Sequence, residues 1–461
     1  MKVLKKLVPF LALLPFVIGT VGYSAAGERL SDALYASFAL YFINPVSDDY
    51  NLLIEIARWS SALVTTTAVL YAVRRIWLAA VRFAHCLGKD SIAVYSDNDI
   101  KIVFDDPRKK ALYLGREFKH GARSQIIMFN SDAESLKFYE EHKAELKKRK
   151  VYIGLREIGL SSLKDAPNLN FFDIDNAVAR TLWKRIALWK QRARKTEITV
   201  LGTDRLGQHI LNCGLLMNLF AQDQEITYNF VGENDLYQIS HGEINTFNKD
   251  TVRFYKPDSA EVAAIVRRSD IVIVSQSISI EKMNTLSIIS GGRLYFYMPN
   301  NDICEYINLP NAEMFGNNSE VYTDENIRQN KLINDAMEQH CNYLKALPEN
   351  EGKIFDKIEE WNKLSGFLKW SNISSSDYMQ VLISLCKDGI CDEELLAELE
   401  HIRWCRFHIL NFRKYGIPQN ESKDTEKRIH KCLRAYSEMN ESDKEKDRKV
   451  AREALELSKN R

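Results

Sequence analysis

Between residues 91 and 297, short runs of β-branched and aromatic residues alternate with helical stretches. This alternation constrains the fold strongly, because strands separated by helices form parallel sheets through right-handed crossovers. In a first unit the predicted strands are residues 91–95, 125–130, 151–155 and 168–172, with a helix over residues 133–148. In a second unit they are residues 197–201, 226–231, 252–255, 270–274 and 293–297. We therefore expect an α/β chain with two doubly wound, parallel-sheet units in tandem.

The turn after the first strand of the second unit resembles the dinucleotide-binding fingerprint of Rossmann-like folds. Gly202 and Gly207 stand at its first and last glycine positions, but Asp204 replaces the middle glycine. A carboxylate there opposes NAD by bulk and by charge, because the backbone must approach the phosphates closely at that position. Glu233 stands where an acid that binds the ribose would lie. These are the candidate cofactor residues; NAD is disfavoured, no cofactor is predicted with certainty, and another nucleotide is the alternative.

The first eighty residues contain two uncharged apolar runs, residues 7–23 and 59–73. Lysines precede the first run and arginines follow the second, which predicts a transmembrane hairpin with both ends in the cytoplasm. For the first run a cleaved signal peptide is the alternative, since a basic start, an apolar middle and small residues at 24–26 also fit one. The apolar residues 30–44 between the runs have the length of a re-entrant or interfacial helix.

Charge and cysteine usage narrow the partners and the compartment. Lys and Arg number 63 against 62 Asp and Glu, a formal net charge of +1. That balance argues against a nucleic-acid polymer as partner, because there is no basic field to release counterions. The 8 cysteines are scattered and form no Cys-x-x-Cys pair, which is typical of reduced cytosolic thiols.

The most specific stretch lies near the carboxy terminus. Its landmarks, in order, are Glu400-His401-x-Arg403-Trp404, Asn411-Phe412, Tyr415-Gly416, His430 and the charged run 443–447. This order resembles the RyR domain, a small helical module first recognised as a repeat in ryanodine receptors and found in bacteria fused behind TrkA-N domains. The resemblance covers about residues 390–455. The family usually has Gly-Trp where this chain has Asn411-Phe412.

The side chains of this stretch combine stacking faces with hydrogen-bond donors, which suits a planar, anionic small molecule such as a nucleotide. The candidate ligand-binding residues are Glu400, His401, Arg403, Trp404, Phe412, Tyr415 and His430. The alternative is that the aromatic residues form the core of the module, with His401 held by Glu400 or by a backbone carbonyl.

Neither a metal centre nor a catalytic site is predicted. His401, Cys405 and His408 share a helix face and could ligate zinc, but no partner pair has matching spacing. The sequence has no His-Glu-x-x-His, Gly-x-Ser-x-Gly or Walker motif, so we expect no enzyme activity.

The two α/β units, roughly residues 90–315, resemble the TrkA-N or RCK regulatory domains of potassium transporters and channels. The hairpin before them resembles the layout of a two-helix potassium channel. Residues 41–49, however, offer no glycine where such a channel would present its filter carbonyls.

These patterns predict four regions: a transmembrane hairpin with a re-entrant segment (1–85), a first Rossmann-like unit (86–194), a second Rossmann-like TrkA-N unit (195–318), and a helical region with an all-α RyR domain (319–461). The resemblances imply a ligand-gated membrane effector or channel-like protein that senses a small anionic ligand, with a role in nucleotide-signalled antiphage defence. They imply a homo-oligomer, with a tetramer favoured, that is multi-pass in a bacterial inner membrane. The alternatives are an RCK-type regulator of potassium transport and a membrane-anchored scaffold that binds proteins.

Overall fold

The computed structural model describes residues 2–118, 121–158, 168–233, 235–241, 244–299, 308–345, 350, 352–418 and 423–459. The chain divides into two compact parts, an amino-terminal part (Met1–Lys89) and a main part (Asp90–Arg461).

The amino-terminal part consists of three helices and a short 3-10 turn. They are α1 (Lys2–Ala25), α2 (Leu30–Ala39), the turn Leu40–Phe42 and α3 (Leu52–Leu87). Close approach between the helices requires glycine, since a Cβ at Gly19 would lie 2.9 Å from the Ser37 hydroxyl. The start of α3 is tied to the end of α1, because the Asn51 amide donates to the Gly22 carbonyl at 2.7 Å. α1 and α3 therefore form an antiparallel hairpin.

The segment between α1 and α3 folds back along the hairpin. At the end of α2 the Tyr41 hydroxyl donates to the Ala12 carbonyl at 2.6 Å, in the middle of α1. The Thr65 hydroxyl of α3 donates to the Tyr41 carbonyl at 2.7 Å. Residues 43–51 then lead back to the start of α3, so the chain descends as a helix and returns without one.

Among the described residues, α3 is the one helix long and apolar enough to cross a membrane, judged by length and composition. The described apolar part of α1, Ala12–Ala25, is shorter. The predicted two-span hairpin is therefore supported for one of its helices.

The main part begins with a parallel sheet of order β2-β1-β3-β4-β5. This is the doubly wound order with its switch point between β1 and β3. Its strands are β1 (Ile92–Ser96), β2 (Ala111–Tyr113), β3 (Ser124–Met128), β4 (Lys150–Leu155) and β5 (Leu169–Asp173), and its helices are α4 (Asp132–Glu141), α5 (Lys143–Leu146), α6 (Ile174–Ile186) and α7 (Leu188–Gln191). The sequence pattern did not predict β2, which has three residues. The helix expected over residues 133–148 is interrupted at His142.

A second parallel sheet follows, of order β11-β10-β9-β6-β7-β8. Counted from β6, this is the 3-2-1-4-5-6 order of dinucleotide-binding folds. The elements are β6 (Lys195–Leu201), α8 (Arg205–Met217), β7 (Glu225–Val231), α9 (Asp235–His241), β8 (Thr251–Tyr255), α10 (Val262–Arg268), β9 (Ile271–Val274), α11 (Ile280–Ile289), β10 (Arg293–Tyr297) and β11 (Ala312–Phe315). The predicted strands are all present within two residues at their ends, and β11 was missed. The α/β class with two Rossmann-like parallel sheets is confirmed.

The remaining residues are mainly helical. The helices are α12 (Asn318–Val321), α13 (Asp324–Arg328), α14 (Asn330–Lys345), α15 (Lys357–Lys363), α16 (Gly366–Lys387), α17 (Glu393–Leu410) and α18 (Glu441–Lys459). The expected all-α domain also contains a small sheet of two-residue strands, β12 (Lys414–Tyr415), β13 (Lys423–Asp424) and β14 (Ile429–His430). α18 buries Ala451 and Ala454 completely. One hydrophobic cluster joins residues of both large sheets with residues of α16, α17 and α18.

Candidate functional site

A cleft of about 420 Å³ opens between the second sheet's helix α8, the end of β5 and the helices α16 and α17. This volume lies within the range of about 300–1,000 Å³ that small-molecule sites occupy. Its polar lining includes Asp173, Asn176, Arg180, Arg205, Gln208, His209, Asn212 and Asp377, and its aromatic lining includes Phe367, Trp370, Phe407 and Phe412.

One face of α8 supplies the polar wall. Arg205, Gln208, His209 and Asn212 follow at intervals of three and four residues, so they share a side of the helix. The residues between them, such as Ile210, are fully buried. The helix is therefore amphipathic, with its polar side towards the cleft.

Asp173 lies at the polar end of the cleft, where the first sheet meets α8. It ends β5 and caps α6 by accepting a hydrogen bond from the backbone N–H of Asn176 at 3.0 Å. Its carboxylate also pairs with the Arg205 guanidinium and lies 3.2 Å from His209 Nε2. Burial by itself would raise the pKa of Asp173, but the hydrogen bond from His209 and the charges of His209 and Arg205 lower it to about 2. The carboxylate is therefore ionised at neutral pH.

A second ion pair lies on the same side, between α6 and α16. Arg180 donates to both carboxylate oxygens of Asp377, at 2.6 and 3.0 Å, and Lys184 lies 3.0 Å from the same group. Although Asp377 is buried, the two cations hold its pKa well below its usual range. These contacts fix α6 against α16.

The opposite end of the cleft is aromatic. His241 stacks on Tyr237 with ring centroids 4.1 Å apart and lies 5.0 Å from Phe412. The guanidinium carbon of Arg413 lies 4.1 Å from the centre of the Phe367 ring, a cation–π contact. Trp370 also lines the cleft. A planar ligand ring would find stacking partners there.

The predicted cofactor residues lie together at the start of α8, but none of these four described residues lines the cleft. Asp204 caps α8: its carboxylate accepts from the Gly207 amide at 3.1 Å and from the Ser275 hydroxyl at 2.6 Å. A carboxylate thus occupies the helix end that would receive a pyrophosphate. Gly202 has φ +110°, and a Cβ at Gly207 would lie 2.1 Å from the Gly202 carbonyl oxygen. The side chain of Glu233 is exposed.

Arg403 and Glu400 form a buried ion pair within α17. Arg403 is 1% exposed and donates Nε and Nη2 to Glu400 at 2.7 and 2.8 Å. Its Nη1 donates to the Ser374 hydroxyl at 2.9 Å. The guanidinium is thus matched inside the fold, and an anionic ligand would reach it only by displacing Glu400.

His401 is also held by its neighbours. Nε2 lies 2.9 Å from the Arg434 carbonyl oxygen, and Nδ1 lies 3.1 Å from the Asp447 carboxylate. Burial by itself would lower the pKa of His401, but the hydrogen bond with Asp447 overrides this and raises it to about 11. Among the described residues, no group of three His, Cys, Asp or Glu side chains is placed to hold a metal ion.

The other predicted ligand residues are dispersed. The Trp404 ring packs against His408 in a tilted orientation, with centroids 3.9 Å apart, and meets His430 edge-on at 4.9 Å. Burial lowers the pKa of His408 to about 3 and that of His430 to about 4, so both rings are neutral at pH 7. Tyr415 is 49% exposed on β12. Of the predicted ligand-binding residues, all of which are described, Phe412 alone lines the cleft.

Sequence reasoning missed Asp173, Arg205, His209 and Trp370. The polar stripe on α8 beside the fingerprint turn was a signal for Arg205 and His209. No local signal marked Asp173, because its partner lies on another element.

Residues 382–459 match the family model of the RyR domain. The predicted RyR resemblance is confirmed for this stretch, hereafter the RyR segment. Comparison with curated proteins and with solved structures gave no match. The RyR segment supplies Phe407, Leu410, Asn411 and Phe412 to the cleft. The cleft is therefore composite, since residues of both Rossmann-like units, of α16 and of the RyR segment line it.

Proposed function

We propose that this protein is a ligand-responsive membrane effector whose ligand binds in the cleft between the second Rossmann-like unit and the RyR segment. The observation that carries the proposal is the cleft itself, about 420 Å³ in volume and lined by residues of both regions, together with residues of the first Rossmann-like unit and of α16. Ligand sites form preferentially where two structural regions meet. A ligand held by both walls favours one arrangement of them over others, which is what a sensor requires.

The membrane part of the proposal rests on the amino-terminal part of the chain, Met1–Lys89. Its helix α3 is long and apolar enough to span a bilayer. The descent of α2 and its non-helical return have the layout of a channel re-entrant loop. The hairpin of α1 and α3 encloses a pore only with help from other subunits, so the proposal includes a homo-oligomer in a bacterial inner membrane with both termini cytoplasmic. It includes no catalytic step, and nucleotide-signalled antiphage defence is the proposed setting.

Flux from liposomes that contain the full-length protein tests this function. We expect a 5′-mononucleotide or cyclic nucleotide to trigger ion release. Leu216→Trp should abolish the response, because Leu216 lines the cleft and a larger ring would fill it. Ile288→Trp is the matched control, since Ile288 is 84% exposed on α11 and does not line the cleft. A wild-type protein that releases no ions with any nucleotide would contradict the proposal.

Regulation of potassium flux is a second candidate, favoured by the combination of the hairpin layout with a sheet of dinucleotide-binding order. The same liposomes distinguish the two, because a potassium regulator should pass potassium in strong preference to sodium. An effector that dissipates the membrane gradient needs no such preference.

A further inference from the structure

At its polar end the cleft is occupied by an anion of the protein itself. The Asp173 carboxylate is 3% exposed, ion-paired with Arg205 and in contact with His209. We propose that the cleft takes a planar ligand with a phosphate group, and that this phosphate displaces Asp173 from Arg205 and His209. The inference rests on the proposed function in taking the cleft as the ligand site, and it adds the residues that recognise the ligand and the means by which they do so.

Arg205 has unused capacity for an anion. Its Nη2 serves Asp173 and the Ile158 carbonyl oxygen, and its Nε lies 3.4 Å from His209. Its Nη1 is buried and finds no hydrogen-bond partner among the described residues. A buried donor without a partner costs free energy, so an acceptor that enters the cleft gains by meeting it. A phosphate has oxygens enough to meet Nη1 while it replaces Asp173 at Nη2.

Arg205 differs in this respect from Arg180, which also lines the cleft but has no buried N–H without a partner among the described residues. The Arg180 guanidinium already donates to both carboxylate oxygens of Asp377. Glu157 lines the cleft but is exposed, where water screens it. Displacement of Asp173 would leave Arg205 with no other carboxylate partner among the ion pairs of the described residues.

The aromatic end selects the rest of the ligand. Phe412 and His241 lie there with ring centroids 5.0 Å apart, and Trp370 also lines the cleft. Bases stack on such rings with little regard to sequence, because every base has a π face. A ring at this end and a phosphate at the other describe a mononucleotide.

Asp173 also links this recognition to the fold. It ends β5 and caps α6 of the first sheet, whereas Arg205 begins α8 of the second sheet. A phosphate that takes Asp173's place therefore breaks an ion pair between the two sheets. Ligand entry would loosen that junction.

Calorimetry on the detergent-solubilised full-length protein tests this, with the four 5′-mononucleotides and their matched nucleosides as probes. Asp173→Asn keeps a side-chain acceptor for the α6 cap but removes the competing charge. We expect it to bind at least one mononucleotide about tenfold more tightly than wild type, with nucleoside affinity unchanged. Arg205→Gln should remove the advantage of that mononucleotide over its nucleoside. Arg185→Gln, on α6 and outside the cleft, is the control for loss of charge.

The inference is overturned if no mononucleotide binds better than its nucleoside, or if Asp173→Asn tightens both alike. Should Asp173→Asn not fold, Arg205→Gln decides alone: an undiminished preference for the phosphate overturns the inference. Phosphate-dependent binding without ion release refutes the proposed function and leaves the inference standing. If nucleotides trigger ion release but Arg205→Gln leaves their affinities unchanged, the inference is refuted and the proposed function stands.

Discussion

At the scale of single residues, buried charges in α17 are matched by charges a turn away. Glu400 accepts from Arg403 and from the Ser375 hydroxyl at 2.9 Å, so all of its bonds lie inside the fold. A buried ion pair contributes little net stability, but removal of one partner strands the other charge. The two residues of the RyR motif therefore act as a unit.

Arg403→Ala should lower the free energy of unfolding by about 3–5 kcal/mol, because Glu400 is left buried and unpaired. The double variant Arg403→Met with Glu400→Gln should recover most of that loss. Thermal and urea unfolding of the solubilised protein measure both. Arg194→Ala, at a guanidinium 68% exposed, should change stability by less than about 0.5 kcal/mol. Equal effects at the two arginines would refute the pairing.

Histidine ionisation should give this region a stability maximum near the ordinary histidine pKa of about 6.5. His401 has a raised pKa, so its contribution is complete below about 6.5 and is lost as pH rises towards about 11. His408 and His430 have lowered pKa values, so their contribution is complete above about 6.5 and is lost on acidification.

Tm measured from pH 5 to pH 10 checks this. The stability gap between wild type and His401→Gln should shrink with rising pH by up to about 1.4 kcal/mol per unit. A gap independent of pH above 7 would show that His401 is neutral in the folded protein.

At the scale of elements, Arg406 fastens α17 to the second sheet. Its guanidinium donates to the Thr246 and Leu215 carbonyl oxygens at 2.8 and 2.9 Å. It also donates to Asn248 at 2.7 Å and to the carboxylate of Asp250 at 2.8 Å. Arg406 and Asp250 are both fully buried. The helix that lines one side of the cleft is thus fixed to the unit that forms the other.

Arg406→Ala should release α17 from the sheet at a cost of about 3–5 kcal/mol, since Asp250 loses its charge partner. Amide hydrogen exchange should rise in residues 393–410 and in residues 245–251, on both sides of the contact. Arg452→Ala, on α18 and 44% exposed, serves as control. Unchanged exchange in α17 would show that apolar packing alone holds the helix.

At the scale of the whole molecule, the division of the chain at Lys89 and Asp90 makes a prediction about solubility. Residues 90–461 have their own hydrophobic cluster, which spans both large sheets and the carboxy-terminal helices. A chain that starts at Asp90 should therefore fold and stay in the supernatant, while the full chain should resist carbonate extraction from membranes. Fractionation of both forms measures this. A truncated chain that aggregates would show that Met1–Lys89 is needed for folding.

Much of the fold was determined by the sequence alone, because strand and helix patterns depend on neighbouring residues. Ile271–Val274 is a continuous apolar run, and all four residues are buried in the sheet. The RyR motif is equally local, and the family match covers it. The strands of the two large sheets that were not predicted, Ala111–Tyr113 and Ala312–Phe315, are too short to show a period.

The candidate site was decided by tertiary structure. Whether Arg403 or Arg205 can meet a ligand depends on which carboxylate lies beside it, and Asp173 is 32 residues from Arg205 along the chain. Desolvation and pairing set the availability of a charged side chain, and both arise only when distant elements pack. The sequence supplied the charged and aromatic groups, and packing determined which of them face one another across the cleft.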